Sequence, residues 1–220
     1  MFVGHYGVSL AAKRGDKTIP LWVLFLAVQL LDVFWSVFVL AGLEKVRIAP
    51  GITASNPLDL YYMPYTHSLV AALLWSLAAY VGYRAIRAFG ASHRAAQLVA
   101  LAVFSHWVLD LLVHRPDLPL YDNAAKVGLG LWNYPAPALL LEIVALFGGM
   151  FLYLRSTTST TRLGRFGMPV FGVAMLALQA VVFFGPPPPS VAAIAWVGIA
   201  GGVLTGALGY WIDRHRTTKA

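Results

Sequence analysis

The chain has 220 residues, of which 59% are hydrophobic and only 11% are charged. A soluble globular chain carries about 25% charged residues, so this composition excludes an ordinary water-soluble domain and indicates a membrane protein. The absence of cysteine excludes disulfides, thiolate metal sites and iron–sulfur clusters. The formal net charge is +7, but the basic residues lie between apolar blocks, which is typical of membrane topology and argues against nucleic-acid binding.

Apolar stretches taken in chain order predict an all-α, polytopic membrane helical bundle. Residues 1–12 are apolar but too short to span, and they predict a half-helix whose N-terminal end is buried in protein. Six longer stretches predict transmembrane helices at about 21–43, 68–83, 95–113, 137–154, 168–184 and 191–211. We therefore expect a single integral membrane domain over 1–220, with a metal-site half at about 1–155 and packing helices at about 166–212.

The distribution of basic residues predicts the orientation in the membrane. Twelve of the 16 Lys and Arg, Arg87 among them, lie in the two terminal segments and in the second and fourth connections. Because Lys and Arg accumulate on the cytoplasmic side, both termini are expected in the cytoplasm. The opposite loops are rich in Pro, Tyr and Trp, which suits the outer headgroup level.

Five ionisable side chains are predicted to meet inside the membrane. Asp32 and His106 each lie roughly 16 Å into their spans when both are entered from the cytoplasmic side. Asp110 follows His106 by one helical turn on the same face. His67 opens the second span from the outside, and His5 reaches similar depth if the N-terminal half-helix is buried. Such groups are costly in a bilayer, so each needs a partner or a function.

This set predicts a divalent metal site. Imidazole and carboxylate suit Zn²⁺ first, with Mn²⁺ or Fe²⁺ as alternatives, and one or two ions could be held. A buried hydrogen-bond or proton network is the other interpretation. His114 continues the stripe of His106 and Asp110, and it is a further ligand, a phosphate-facing donor or a cap. Glu142 is a candidate general base or outer ligand, with a snorkelling or hydrogen-bonded carboxylate as the alternative. Asp59, Asp122 and Asp213 are expected to be solvated loop charges.

Three short elements carry a resemblance to a known family. They are Gly4-His5, Tyr65-Thr66-His67-Ser68 and Ser105-His106-Trp107-Val108-Leu109-Asp110. Over roughly the first 115 residues the chain resembles the LexA-regulated inner-membrane metal-dependent hydrolases, which are small bacterial multi-span proteins. The resemblance implies that the metal ligands are His5, Asp32, His67, His106 and Asp110. The ligand order also looks like that of bacterial zinc-dependent phospholipase C, whose later His and Glu would correspond to His114 and Glu142.

These observations predict a membrane-embedded metal-dependent hydrolase. Asp110, His114 and Glu142 are the candidate catalytic residues, and the expected substrate is a lipid or amphiphile with a phosphoester or related bond. The expected partners are membrane lipid and this phosphate-containing substrate. An ion- or proton-coupled transporter using the same cluster is the alternative function. A noncatalytic scaffold braced by a closed metal site is the third.

Overall fold

The computed structural model describes residues 1–86 and 92–219, and Arg87 of the topology count lies outside them. The described chain is mainly helical, with two small two-stranded antiparallel sheets. The helices are α1 (Gly4–Gly15), α2 (Leu21–Val28), α3 (Leu30–Leu40), α4 (Leu69–Ala85), α5 (His93–Val113), α6 (Pro135–Ser156), α7 (Arg162–Phe184) and α8 (Val191–Asp213). The strands are β1 (Lys45–Ile48) paired with β2 (Leu58–Tyr62), and β3 (Thr157–Thr158) paired with β4 (Thr217–Thr218).

The predicted membrane helices are present, but six spans is more than the described helices support. By length and composition, four helices can cross a membrane: α5, α6, α7 and α8. A fifth span results if α2 and α3 count as one, although they are bent by 52° relative to each other. Helix α4 is apolar but has only 17 residues, which cover about 26 Å of a hydrocarbon core of about 30 Å.

Helix α4 is short because an irregular segment, 63–68, takes the place of its first turns. Ser68 caps α4 by accepting from the Ala71 amide, and Thr66 and His67 lie just before the cap. The segment is almost entirely buried, and its backbone polar groups are satisfied by protein. This satisfies the requirement that non-helical backbone at membrane depth be surrounded by protein or line a cavity.

The N-terminal half-helix is buried, as its length predicts. α1 has 12 residues, and it packs chiefly along α6. Glycines make the crossing close: a Cβ on Gly7 would overlap the backbone of Ala145, and one on Gly149 would overlap Gly7. The N-terminal end of α1 therefore lies inside the bundle, where it reaches the ionisable residues of α5 and α6.

Glycines also bring α8 against the bent α2–α3 segment. A Cβ on Gly198 would overlap the Ser36 hydroxyl, and one on Gly202 would press on Val33. Gly206 meets Leu26 at ordinary contact distance or slightly closer. The four-residue spacing of these glycines is typical of close helix packing in membranes. The face of α8 that carries these glycines therefore packs against α2 and α3.

The prediction of solvated loop charges is wrong for two aspartates. Asp213 accepts from Lys13 Nζ at 2.9 Å and from the Tyr153 hydroxyl at 2.8 Å, joining α8 to α1 and α6. Asp59 is 3% exposed and pairs with Arg47 and Arg115. In both cases tertiary packing covers the carboxylate, and an arginine or lysine neutralises it.

Candidate metal centre

The structure brings the ionisable residues of α3, α4, α5 and their flanking segments to one buried point. Asp32 Oδ1 lies 3.4 Å from His67 Nε2 and 3.5 Å from His106 Nε2. Asp110 Oδ2 lies 3.2 Å from His106 Nε2 and 3.7 Å from His67 Nε2. These four side chains form what we call the His/Asp cluster: Asp32, His67, His106 and Asp110.

The proton position on His106 follows from its partner. His106 is fully buried, and its Nδ1 lies 2.6 Å from the carbonyl oxygen of Val28. A carbonyl only accepts, so Nδ1 must carry the proton and Nε2 keeps its lone pair when the ring is neutral. The Val28 carbonyl is placed to do this because α2 ends there, at the bend before α3.

His67 is held in the same tautomer by a two-step relay. Its Nδ1 lies 2.8 Å from the Thr66 hydroxyl, which in turn donates to Glu44 Oε2 at 2.7 Å. Since the hydroxyl proton is used on the carboxylate, Thr66 accepts from His67 Nδ1–H. Glu44 Oε1 also accepts from the Tyr65 and Thr66 amides, at 2.8 and 3.0 Å. Glu44 therefore fixes the segment that carries His67.

His114 repeats the arrangement at the edge of the cluster. Its Nδ1 donates to Asp117 Oδ1 at 2.8 Å, and its Nε2 faces Asp110 Oδ2 at 3.6 Å. Asp117 Oδ2 also forms an ion pair with Arg115, whose Nε lies 3.2 Å away. Arg115 in turn contacts Asp59, so the imidazole is braced by a buried chain of opposite charges. The sequence left His114 open as ligand, donor or cap, and this geometry favours a ligand or proton-handling group.

Three side chains of the His/Asp cluster, Asp32, His67 and His106, lie close enough together to hold one divalent ion, and Asp110 belongs to an overlapping group. Zinc bonds to nitrogen and oxygen of about 2.0–2.2 Å require ligand atoms about 3.3–3.6 Å apart. The four measured separations span 3.2–3.7 Å. His106 Nε2 has no hydrogen-bond partner among the described residues, although two carboxylates face it. A lone pair aimed at carboxylate oxygens is stabilised either by a proton, which would give a buried hydrogen-bond network, or by a metal cation, and this donor set suits both.

His5 belongs to a second, overlapping group with His106 and Asp110. Its Nε2 lies 3.1 Å from the Met1 carbonyl and 3.2 Å from Asp110 Oδ1, the oxygen turned away from His106. Its ring stacks on that of His106 with centroids 3.9 Å apart. The Met1 α-amino group also hydrogen-bonds to Asp110 Oδ1. His5 thus contacts the back of Asp110, where it either orients the carboxylate or contributes to a second ion.

Glu142 lies beside the cluster but is engaged by backbone. Its Oε1 accepts from the Phe2 amide at 2.9 Å and its Oε2 from the Gly4 amide at 2.6 Å. Helix N-termini present unpaired amides and a positive dipole end, and a carboxylate stabilises both. Both carboxylate oxygens of Glu142 therefore stabilise the N-terminal end of α1. This geometry corresponds to the hydrogen-bonded carboxylate that the sequence analysis left open as an alternative to a general base.

A cavity of about 920 Å³ reaches the cluster. Asp32, His67, Asp110, His114 and Glu142 line one part of it, and the remainder is largely apolar. The Asp32 side chain is 33% exposed, whereas the His106 side chain is fully enclosed. A ligand in the cavity would therefore meet the cluster from the side of Asp32.

Three supporting residues escaped the sequence analysis: Glu44, Thr66 and Asp117. Glu44 is 1% exposed and Asp117 is 3% exposed. Glu44 follows an apolar span directly, and the Thr-His dipeptide and the His-x-x-Asp spacing of His114 and Asp117 were visible in the sequence. The role of Glu44 was not predicted because its contacts are with Tyr65 and Thr66, more than 20 residues further along the chain.

No family model, curated protein or solved structure matches this chain. The resemblance to the LexA-regulated hydrolases therefore stays a prediction, and the functional argument depends on the site itself.

Proposed function

We propose that the protein is a membrane-embedded metal-dependent hydrolase, with Zn²⁺ as the preferred ion and Mn²⁺ or Fe²⁺ as alternatives. Asp32, His67 and His106 would hold the principal ion, and Asp110 and His5 would extend the set. The observation that carries this proposal is the convergence of imidazole Nε2 atoms and carboxylate oxygens, 3.2–3.7 Å apart, at one buried point.

The chemistry follows from this donor set and its surroundings. When bound, a divalent ion supplies a positive charge that polarises a phosphoester bond and acidifies a water molecule beside it. Asp110 lies within 3.7 Å of the imidazoles of all four histidines at the site, so it would fix their relative positions. His114 lines the cavity, and its Nδ1–H is held by Asp117, so its Nε2 is available to accept and return a proton.

An amphiphilic substrate suits the surroundings of the site. The cavity combines a few polar groups at the cluster with an apolar remainder, and it lies among helices apolar enough for a membrane. We propose that the site serves a lipid or lipid-linked phosphoester in the bacterial inner membrane and opens toward the outer face.

Metal analysis of two matched variants tests the proposal. The purified protein should contain about one or two equivalents of zinc, manganese or iron by mass spectrometry. His106→Ala should lose the metal together with any phosphoesterase activity. His93→Ala, on the same helix but exposed, should retain both. A folded, active protein without metal would contradict the proposal.

The broken helix favours one alternative function. Discontinuous helices beside an intramembrane ion site are typical of secondary transporters, and the bend between α2 and α3 adjoins Asp32. We infer that a carrier would move the ion or a proton across vesicles containing the purified protein. Ion flux without hydrolysis of any phosphoester lipid would replace the hydrolase with this function.

A further inference from the structure

The cavity that reaches the His/Asp cluster continues between α7 and α8. Its lining runs from Leu163 to Phe183 on α7 and from Ile194 to Ile212 on α8. About 20 residues of each helix correspond to roughly 30 Å, the thickness of the hydrocarbon core. Because α8 turns its glycines to α2 and α3, and α7 packs on α6, the two helices leave a groove between them. We call this the α7–α8 groove.

The groove opens sideways, onto the surface that a bilayer would cover. Val170 and Val197 line it and are 64% and 70% exposed. Leu204 and Phe166 line it as well, and they are also exposed. A molecule in the hydrocarbon core could therefore enter the groove laterally, without first passing through water.

Three polar side chains that line the cavity have atoms without partners among the described residues. Gln179 on α7 is fully buried, and both of its amide atoms are unpartnered among the described residues. Gln29 Nε2 and Trp35 Nε1, also buried, are in the same condition. All three residues line the cavity. In an apolar environment such groups must be satisfied by protein, water or a ligand.

The chemistry of these atoms selects the ligand. Amide and indole N–H groups donate, so they recognise acceptor oxygens such as an ester carbonyl or a phosphate oxygen, whereas the Gln179 Oε1 atom accepts and requires a hydroxyl group or a water molecule. An apolar groove alone would not prefer an acyl chain, because surrounding lipid tails are equally apolar. The occupant must therefore combine a long chain with acceptor oxygens near one end.

We propose that the α7–α8 groove binds an acyl chain of a membrane lipid, whose ester or phosphate oxygens are held by Gln179, Gln29 and Trp35 next to the His/Asp cluster. This inference rests on the proposed function and names its substrate class, an acylated lipid that enters laterally. A helix from a second copy of the chain could fill the same groove, but an apolar helix surface would leave the donors unsatisfied.

A plug variant and its control follow from two glycines. A Cβ on Gly201, which lines the groove, would meet nothing within 4 Å, so leucine fits there and projects into free space. Gly148 on α6 is equally open but does not line the groove. Gly201→Leu should therefore block the groove without displacing protein atoms, and Gly148→Leu adds the same side chain elsewhere.

The probe is an ester-linked phosphatidylglycerol with a diazirine in one acyl chain, mixed into phosphatidylcholine nanodiscs that contain the protein. After irradiation, groove residues of α7 and α8 should be labelled more than the exposed face of α4. Gly201→Leu should lower groove labelling about tenfold, a loss typical of steric overlap in a filled site. Gly148→Leu should leave it unchanged. Equal labelling of α4 and the groove, or no effect of Gly201→Leu, would overturn the inference.

Gln179→Leu separates ligand binding from a structural role. Removing an unpartnered buried amide should leave thermal stability unchanged or raise it. It should nevertheless reduce groove labelling by the ester-linked probe. An ether-linked analogue of the probe identifies the acceptor. If phosphate oxygens are the acceptors, Gln179→Leu should reduce groove labelling by the ether-linked probe as much as labelling by the ester-linked probe. If the ester carbonyl is the acceptor, the ether-linked probe should label even the wild-type groove weakly. Lower stability with unchanged labelling would show that Gln179 serves packing and would overturn its assignment.

Two further measurements keep this inference apart from the hydrolase proposal. Metal content and hydrolysis of a water-soluble, chain-free phosphoester report on the cluster alone, and Gly201→Leu should change neither. Retained metal and hydrolysis without groove labelling would refute the lipid assignment only. A folded wild-type protein that contains no metal would refute the hydrolase proposal. Because the chain has no cysteine, a disulfide between copies through Val197→Cys would instead assign the groove to a second copy.

Discussion

At the scale of single residues, three imidazoles share one design. His67, His106 and His114 each have Nδ1 against an acceptor, which leaves Nε2 facing the carboxylates. The acceptors differ: a hydroxyl relayed to Glu44, the Val28 carbonyl and the Asp117 carboxylate. Such partners fix the tautomer and orientation of metal-binding histidines, and their loss typically lowers metal affinity about 10–100-fold.

Thr66→Val tests this relay. The valine keeps the shape of the side chain but breaks the link from His67 to Glu44, so zinc affinity should fall about 10–100-fold in a competition titration with a chelator. Thr66→Ser restores the hydroxyl and should recover most of the affinity. Thr158→Val, at an exposed position, is the matched control. An unchanged affinity in Thr66→Val would show that the relay does not support the metal.

Glu142→Gln distinguishes the two roles considered for this residue. The carboxylate accepts from two amides, whereas a carboxamide can accept at one oxygen only. One buried N–H would be left unpaired, so unfolding free energy should fall by about 1–3 kcal/mol. Thermal unfolding in detergent measures this. A variant of native stability that has lost hydrolysis would instead identify Glu142 as the general base.

At the scale of elements, the contact of α1 with α6 decides whether the N-terminal residues reach the cluster. Gly7→Ala should place a methyl group against the Ala145 backbone and force the helices apart. Overpacking of this kind typically costs about 1–3 kcal/mol. Gly148→Ala, one position from the crossing glycine Gly149, meets open space and should leave the melting temperature unchanged or raise it. Equal melting temperatures for the two variants would show that α1 and α6 can move apart at their crossing without loss of stability.

The elements also show how far the sequence can be interpreted. Hydropathy predicts the apolar helices, and helical spacing places His106 and Asp110 on one face, because both depend on local periodicity. The bend at Gln29 and the buried segment before α4 were not predicted. Their stability comes from partners distant in sequence, such as Glu44 with Thr66 and His106 with Val28. A hydropathy window averages over such breaks, and so it counted six straight spans.

At the scale of the whole molecule, the inference about orientation can be tested directly. The basic residues predict that both termini are cytoplasmic and that the turn between α7 and α8 is outside. Since the chain has no cysteine, Pro187→Cys and Lys219→Cys each give a single thiol at an exposed position. A membrane-impermeant maleimide added to intact spheroplasts should label Pro187→Cys, and label Lys219→Cys only after lysis. The reverse pattern would invert the topology.

The bend between α2 and α3 lowers the stability of this segment but supports the His/Asp cluster. An uninterrupted helix would gain backbone hydrogen bonds, whereas the bend has a buried glutamine whose Nε2 has no partner among the described residues. Yet the end of α2 is what presents a carbonyl to His106. Directed evolution for heat tolerance alone would therefore favour a straightened segment with an aliphatic residue at Gln29, and its most stable products would have lost the carbonyl that orients His106.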